Sequence, residues 1–167
     1  SICEDYTGAI WISSESYGVV VYDPQTETFR SYEAGQHGLL ITSFQRLFED
    51  HTRRLWIATE QGLQYYDREN DRFLTYTPAP QNSVSFPNNN FKTLFEDSRK
   101  CLWVGTDQGL YELNPDRTIV NRYSMDEGLA NNVVKAIEED DSGYLWISLD
   151  NGKISRLDPS LRKVINF

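Results

Sequence analysis

The side chains best suited to chemistry in this sequence are carboxylates, and they recur at fixed spacing. Asp5, Asp50, Asp97 and Asp140 each stand six residues before a tryptophan, and each follows a glutamate, Glu4, Glu49, Glu96 or Glu139. Such recurring acids invite a metal. Asp140-Asp141-Ser142-Gly143 has a calcium-like look, yet a calcium loop needs oxygen ligands at alternating positions, and that spacing is missing. The matching turns in two other copies are basic (His51 to Arg54, Ser98 to Lys100), so these aspartates read as turn caps. A second acidic set, Glu15, Glu60, Asp107 and Asp150, lies four residues after each tryptophan. These residues suit a turn, but stacked copies would also align them as an arc of carboxylates facing a ligand or partner.

Other chemistry is sparse. His37 and His51 have no serine, cysteine or carboxylate spaced as in a triad or zinc site, and both read as surface residues. Gly18, Gly62, Gly109 and Gly152 recur singly at turns rather than in a phosphate-binding loop. Cys3 and Cys101 occupy non-equivalent repeat positions and read as free thiols. The sequence therefore assigns no catalytic residue, no metal ligand and no cofactor.

What must position these acids is a repeat. Trp11, Trp56, Trp103 and Trp146 are all the tryptophans present, at spacings of 45, 47 and 43 residues. A period of 40 to 50 residues points to propellers, solenoids or arrays. Ahead of each Glu-Asp pair runs an apolar, alternating segment such as Phe44-Gln45-Arg46-Leu47-Phe48, and a polar turn then leads into the tryptophan segment. A hairpin signal with glycine follows, then a third segment, then Asp23-Pro24, Asp67-Arg68, Asn114-Pro115 or Asp158-Pro159, and a last segment ending on Tyr32, Tyr76, Tyr123 or Phe167. Four antiparallel strands per repeat predict β-propeller blades, and helical periodicity is missing.

The predicted fold is an all-β propeller fragment. An incomplete blade occupies 1–32, with only the end of its first strand, and whole blades occupy 43–76, 90–123 and 133–167. Two residues after each tryptophan, and on its face of the strand, stands Ser13, Ala58, Gly105 or Ser148, which predicts that one sheet's bulk enters its neighbour's hollow. The tryptophans read as core rather than sugar-stacking platforms. The least regular parts, 33–42, 77–90 and 124–132, connect the blades, and such connections are where a rigid scaffold carries binding.

The pattern Glu-Asp, short turn, Leu-Trp-Ile/Val-small-Thr, acidic-Gln-Gly-Leu, then Asp-Pro resembles the two-component regulator propeller repeat. Leu102-Trp103-Val104-Gly105-Thr106-Asp107-Gln108-Gly109-Leu110 carries it best, with Ala130-Asn131-Asn132-Val133. The first copy departs by an extra residue before Gly18, and the fourth by Leu149 and by Lys153 inserted after its glycine. The resemblance implies a non-catalytic, periplasmic sensor region of a hybrid histidine kinase of the gut Bacteroidetes type, responding to an oligosaccharide. Implied partners are that ligand and further blades of a parent chain, with a homodimer possible. A propeller scaffold for protein-protein interaction, or a propeller lyase or hydrolase, are the alternatives. A net charge of -9 and pI near 4.7 repel phosphate backbones, which excludes DNA or RNA as the expected partner.

Overall fold

The structure, a computed structural model, describes residues 1–14, 18–40, 44–78, 86 and 90–167. All regular structure among them is β, and no helix is long and apolar enough to cross a membrane. The first sheet holds β1 (Ile2–Glu4), β2 (Ile10–Ser14), β3 (Gly18–Asp23) and β4 (Thr28–Tyr32). The second holds β5 (Phe44–Glu49), β6 (Leu55–Thr59), β7 (Leu63–Asp67) and β8 (Arg72–Thr75). The third holds β9 (Phe91–Glu96), β10 (Leu102–Thr106), β11 (Leu110–Leu113) and β12 (Ile119–Tyr123). The fourth holds β13 (Val134–Glu139), β14 (Leu145–Leu149), β15 (Ile154–Asp158) and β16 (Lys163–Asn166). Each is an antiparallel meander in chain order, as expected of four propeller blades. β5 and β13 shift register at the same place, Phe44/Arg46 and Val134/Ala136, so even the bulge repeats.

Burial follows the position of each strand in its sheet. β6 and β10 are buried along their whole length, which is why Leu-Trp-Ile-Ala-Thr and Leu-Trp-Val-Gly-Thr are apolar on both faces. The last strands, such as β4 and β16, are mostly exposed edges.

The chain forms two compact units, 1–76 with 89–91, and 77–88 with 92–167. In the first unit, Trp11, Val19, Val21 and Tyr32 of the first blade pack on Leu47, Leu55, Ile57, Tyr66 and Phe73 of the second. In the second unit, Trp103, Leu110 and Tyr123 of the third blade pack on Val134, Ile137, Ile147 and Leu157 of the fourth. The tryptophan side of one blade thus meets the leucine-isoleucine side of the next.

The hollow at Gly105 is filled by Val134 of the following blade, so one sheet's bulk does enter its neighbour's hollow, and by Thr93 of its own blade. A Cβ there would lie 2.7 Å from Val134 Cγ1 and 2.6 Å from Thr93 Cγ2. One expectation needs correction: Gly62 is not needed for a left-handed backbone, unlike Gly18, Gly109 and Gly152 with φ of 79°, 130° and 76°. It is small because Leu40 Cδ1 stands 3.3 Å from where its Cβ would be.

Candidate functional site

Each blade has two ends, and the repeated acids divide between them. At one end, the turn between the first two strands is built on its aspartate. Asp50 Oδ1 accepts from the backbone N–H of Thr52 at 2.9 Å and Arg54 at 3.1 Å, and from the Thr52 hydroxyl at 2.6 Å. Its Oδ2 accepts the indole N–H of Trp56 at 2.8 Å. The same indole bond recurs as Trp11 to Asp5, Trp103 to Asp97 and Trp146 to Asp140, at 2.7, 2.9 and 2.7 Å. The six-residue spacing exists because one carboxylate both closes the turn and satisfies a buried indole N–H. The turn-cap reading saw half of this, and the constant distance to tryptophan carried the signal for the rest.

These carboxylates are fully committed. Burial works against ionisation of Asp5, but hydrogen bonds from Thr7, Trp11 and Arg68 outweigh it and bring its pKa down to about 2. At Asp140 the Trp146 indole leads the same downward shift, aided by the Tyr144 and Ser142 amides. A carboxylate held this way is a poor general acid or base near neutral pH. Among the described residues no cluster of three or more histidine, cysteine, aspartate or glutamate side chains could hold a metal ion.

Two of the preceding glutamates work across blades. Glu49 Oε1 accepts the Tyr6 N–H at 2.9 Å, and Glu139 accepts the Ser98 N–H at 2.7 Å and its hydroxyl at 2.8 Å. Glu49 and Glu139 therefore each hold the aspartate turn of the blade before them, whereas Glu96 takes Arg117 of its own blade at 2.7 Å.

The opposite end of its blade brings Glu60, and likewise Asp150, beside a connection. Glu60, Asp107 and Asp150 all sit at the hairpin after the tryptophan strand; Glu15 lies outside the described residues. Thr59 and Thr106 hold two of these hairpins, accepting the N–H of Gln61 at 3.1 Å and Gln108 at 3.0 Å, so the acidic side chain is not what closes the turn. The Glu60 carbonyl accepts the Asn90 N–H at 2.9 Å. The Asp150 N–H donates to the Val133 carbonyl at 3.0 Å, and its carboxylate pairs with Lys135 at 2.7 Å. Connection 124–132 is fixed by Glu127, whose carboxylate takes the Ser124 N–H at 2.8 Å, and by Asn132, which takes the Met125 N–H at 2.8 Å. Pro80 and Pro87 of the longest connection lie outside the described residues.

Three further features were not legible as sites. His37, read as a lone surface residue, bonds through Nδ1 to the Asp71 carbonyl at 2.7 Å, with the Asp71 carboxylate 3.6 Å away. That carboxylate takes the hydroxyls of Tyr66 and, at 2.6 Å, Tyr32, so four polar side chains meet between the first two blades. Burial, and then the bonds to Asp71 and Tyr66, push the Tyr32 phenol well above its ordinary range. A 530 Å³ hollow on the second blade is lined by Arg53, Arg54, Tyr65 and Arg68, with the Arg54 guanidinium 4.7 Å from the Tyr65 ring centre. In the fourth blade the pair is reversed, Arg156 over Tyr144 at 4.5 Å, so the strand position is fixed while the order of cation and ring is not. Both cysteines are free.

Residues 85–108 and 128–151 match the family model described as the two component regulator propeller. No curated protein matches the chain. The extracellular domain of the putative hybrid two component system BT4673 from B. thetaiotaomicron superposes with a TM-score of 0.86 at 24% identity, over 99% of this chain and 24% of that one. That of BT3049 from the same organism gives 0.79 at 21% identity, over 100% and 22%. PorZ of Porphyromonas gingivalis, a surface component of the type-IX secretion system, gives 0.57 at 15% identity, over 92% and 31%. The chain spans about a quarter of the length of the first of these.

Proposed function

We propose that this run of two-component regulator propeller repeats is a ligand-sensing, extracytoplasmic part of a hybrid two-component sensor, and that its ligand is an oligosaccharide. The observation that supports the reading is the superposition of all four blades on a domain of that kind, over 99% of the chain. In this reading the segment binds and does not catalyse, and a parent chain supplies further blades and the kinase. In each unit the ligand meets a connection end, with Glu60 beside Asn90 in the first and Asp150 beside connection 124–132 in the second. Carboxylates there accept hydrogen bonds from vicinal sugar hydroxyls, while the indole-locked opposite end holds the blades rigid.

The test is a glycan panel read by thermal shift on the complete sensory region of the parent protein. One class of oligosaccharide should raise Tm in a dose-dependent way, because a ligand that binds only the folded state stabilises it. The shift should survive a chelator and shrink in a Glu60→Gln, Asp150→Asn double variant. A panel in which no glycan stabilises the region sinks the oligosaccharide reading, and a shift lost in chelator overturns the metal-free one.

A further inference from the structure

We propose that the turn end of the second blade carries an oxyanion site, built from Arg53, Arg54 and Arg68, which takes the carboxylate or sulfate group of an acidic sugar. The anion site stands on the geometry of this end alone; that the anion is carried by a sugar rests on the sensor reading. Departure from the repeat marks the place. Three positions before tryptophan the turn needs a left-handed backbone, and Gly8 and Gly143 supply it with φ of 85° and 80°. Arg53 takes the same conformation at 66°, against the preference of a residue with a side chain. Lys100 does so at 67° in the third blade, but its ammonium lies 4.0 Å from Glu96 of that blade. One residue on, Arg54 stands where the other copies have Ala9, Cys101 and Tyr144. In the turn after the third strand, Arg68 replaces a proline that every other copy has, Pro24, Pro115 or Pro159. Three departures from what the scaffold needs, all to arginine, meet in the 530 Å³ hollow.

The hollow is equipped for an anion. Arg53 and Arg54 are exposed, and among the described residues neither guanidinium has an ion pair or a hydrogen bond. Their contacts are to ring faces, Arg53 4.7 Å from the centre of Tyr6 and Arg54 4.7 Å from that of Tyr65. Stacking of this kind orients a guanidinium and leaves its N–H edge free for a bidentate acceptor. Arg68 contributes a third donor. Its two Nη atoms are held by Asp5 and Glu49 at 2.9 and 3.0 Å, while its Nε–H is buried with no hydrogen-bond partner among the described residues. The lining holds these three arginines against two acids, Asp67 and Glu69. Asp67 is already taken by Arg72 at 3.2 Å and Asn70 at 2.8 Å, and Glu69 is exposed. In a chain of net charge -9 this is a local reversal of sign. Tyr65 and Leu74 complete the wall with half-buried apolar surface for the C–H face of a pyranose ring. The volume falls within the roughly 300 to 1,000 Å³ of small-molecule sites.

The test is isothermal titration calorimetry on the complete sensory region. Its probes are galacturonate oligomers, the same oligomers with their carboxyls reduced to alcohols, and sulfated galactose oligomers. One of the two acidic probes should bind roughly tenfold tighter than the reduced one, and the preferred anion identifies the group the site takes. That binding should weaken as salt rises. Arg53→Gly restores the residue that the first and fourth blades have at the left-handed position, so it should hold or raise Tm while weakening acidic binding roughly tenfold, the worth of one charge-assisted hydrogen bond. Adding Arg54→Ala, the residue of the first blade, should abolish the preference over the reduced oligomer. Acidic probes that bind no better than the reduced one overturn the proposal, as does acidic binding unchanged in the double arginine variant. A neutral glycan that binds through Glu60 and Asp150 while the acidic probes ignore both arginines sustains the sensor reading and sinks this site. Acidic binding lost with the arginines yet indifferent to Glu60→Gln and Asp150→Asn supports this site and sets it apart from the connection end.

Discussion

The interface between the first two blades and that between the last two share a frame and differ in chemistry. In the first, Trp11 lies parallel to Tyr32 at 6.2 Å and meets the edge of Tyr66 at 4.8 Å, while both phenols converge on Asp71. In the second, Leu157 stands where Tyr66 does and Arg162 where Asp71 does, so Trp103 and Tyr123 face an aliphatic wall. The cover on the aspartate differs as well. Arg68 reaches from the second blade to Asp5 at 2.9 Å, whereas Pro159 holds that position in the fourth blade and Asp97 takes Arg99 of its own turn at 2.7 Å. What both retain is the aspartate-indole bond and the glutamate across the seam. The frame is therefore set by a few polar anchors, and the packing between them is free to vary as long as volume is filled.

The largest effect should come from removing the anchor's ring. Trp103→Ala opens a cavity in a dry interface and should cost about 4 kcal/mol in urea-induced unfolding, as should Trp11→Ala, while half-buried Trp146→Ala should cost about half as much. Equal losses at all three would mean that the indoles stabilise their own blades and not the seams. Next in size is Asp5→Ala, which strands the Trp11 N–H and leaves the Arg68 guanidinium only Glu49, and should cost about 3 kcal/mol. Because the Asp5 pKa is lowered to about 2, its contribution is complete above the ordinary carboxylate range and is lost as pH falls from about 4 through 2. Acid melts should show the loss in that window, and Arg68→Met should move it to higher pH by removing one of the bonds that lower the pKa. Arg68→Met should also cost about 1 to 2 kcal/mol, since it unties two blades, against about 0.5 kcal/mol for Arg99→Met, whose side chain is 41% exposed and serves its own turn. A larger loss at Arg99 would reverse the comparison.

How much of this was written in the sequence depends on whether a residue acts inside its repeat or across it. The strands and the hairpins follow from alternation and turn residues that recur four times. The aspartate-indole bond was visible only as an unexplained constant distance, because a turn cap already accounts for an aspartate after a strand. The glutamate's role, the Arg68 bridge and the meeting of His37 with Asp71 join residues 43, 63 and 34 positions apart, which no local pattern encodes. The acidic set at the connection end was legible as a row, yet what it serves is set by loops that do not repeat. Repetition reveals scaffolding and is silent about what makes one blade different.

The smallest expected effect carries the sharpest contrast, because its sign should reverse between the two interfaces. Tyr66→Phe removes a bond to Asp71 and should cost about 1 kcal/mol. The Tyr123 hydroxyl, by contrast, is buried with no hydrogen-bond partner, and burial followed by the nearby Glu112 charge pushes its pKa up to about 12. Tyr123→Phe takes away only the desolvation cost of that hydroxyl, so it should leave the chain unchanged or stabilise it by up to about 1 kcal/mol in the same urea titration. Arg162→Asp, which places an acceptor at the turn position that Asp71 occupies in the second blade, should erase that gain by giving the hydroxyl a partner. If Tyr123→Phe instead costs as much as Tyr66→Phe, the hydroxyl has a bonded partner, and the two interfaces are polar in equal measure.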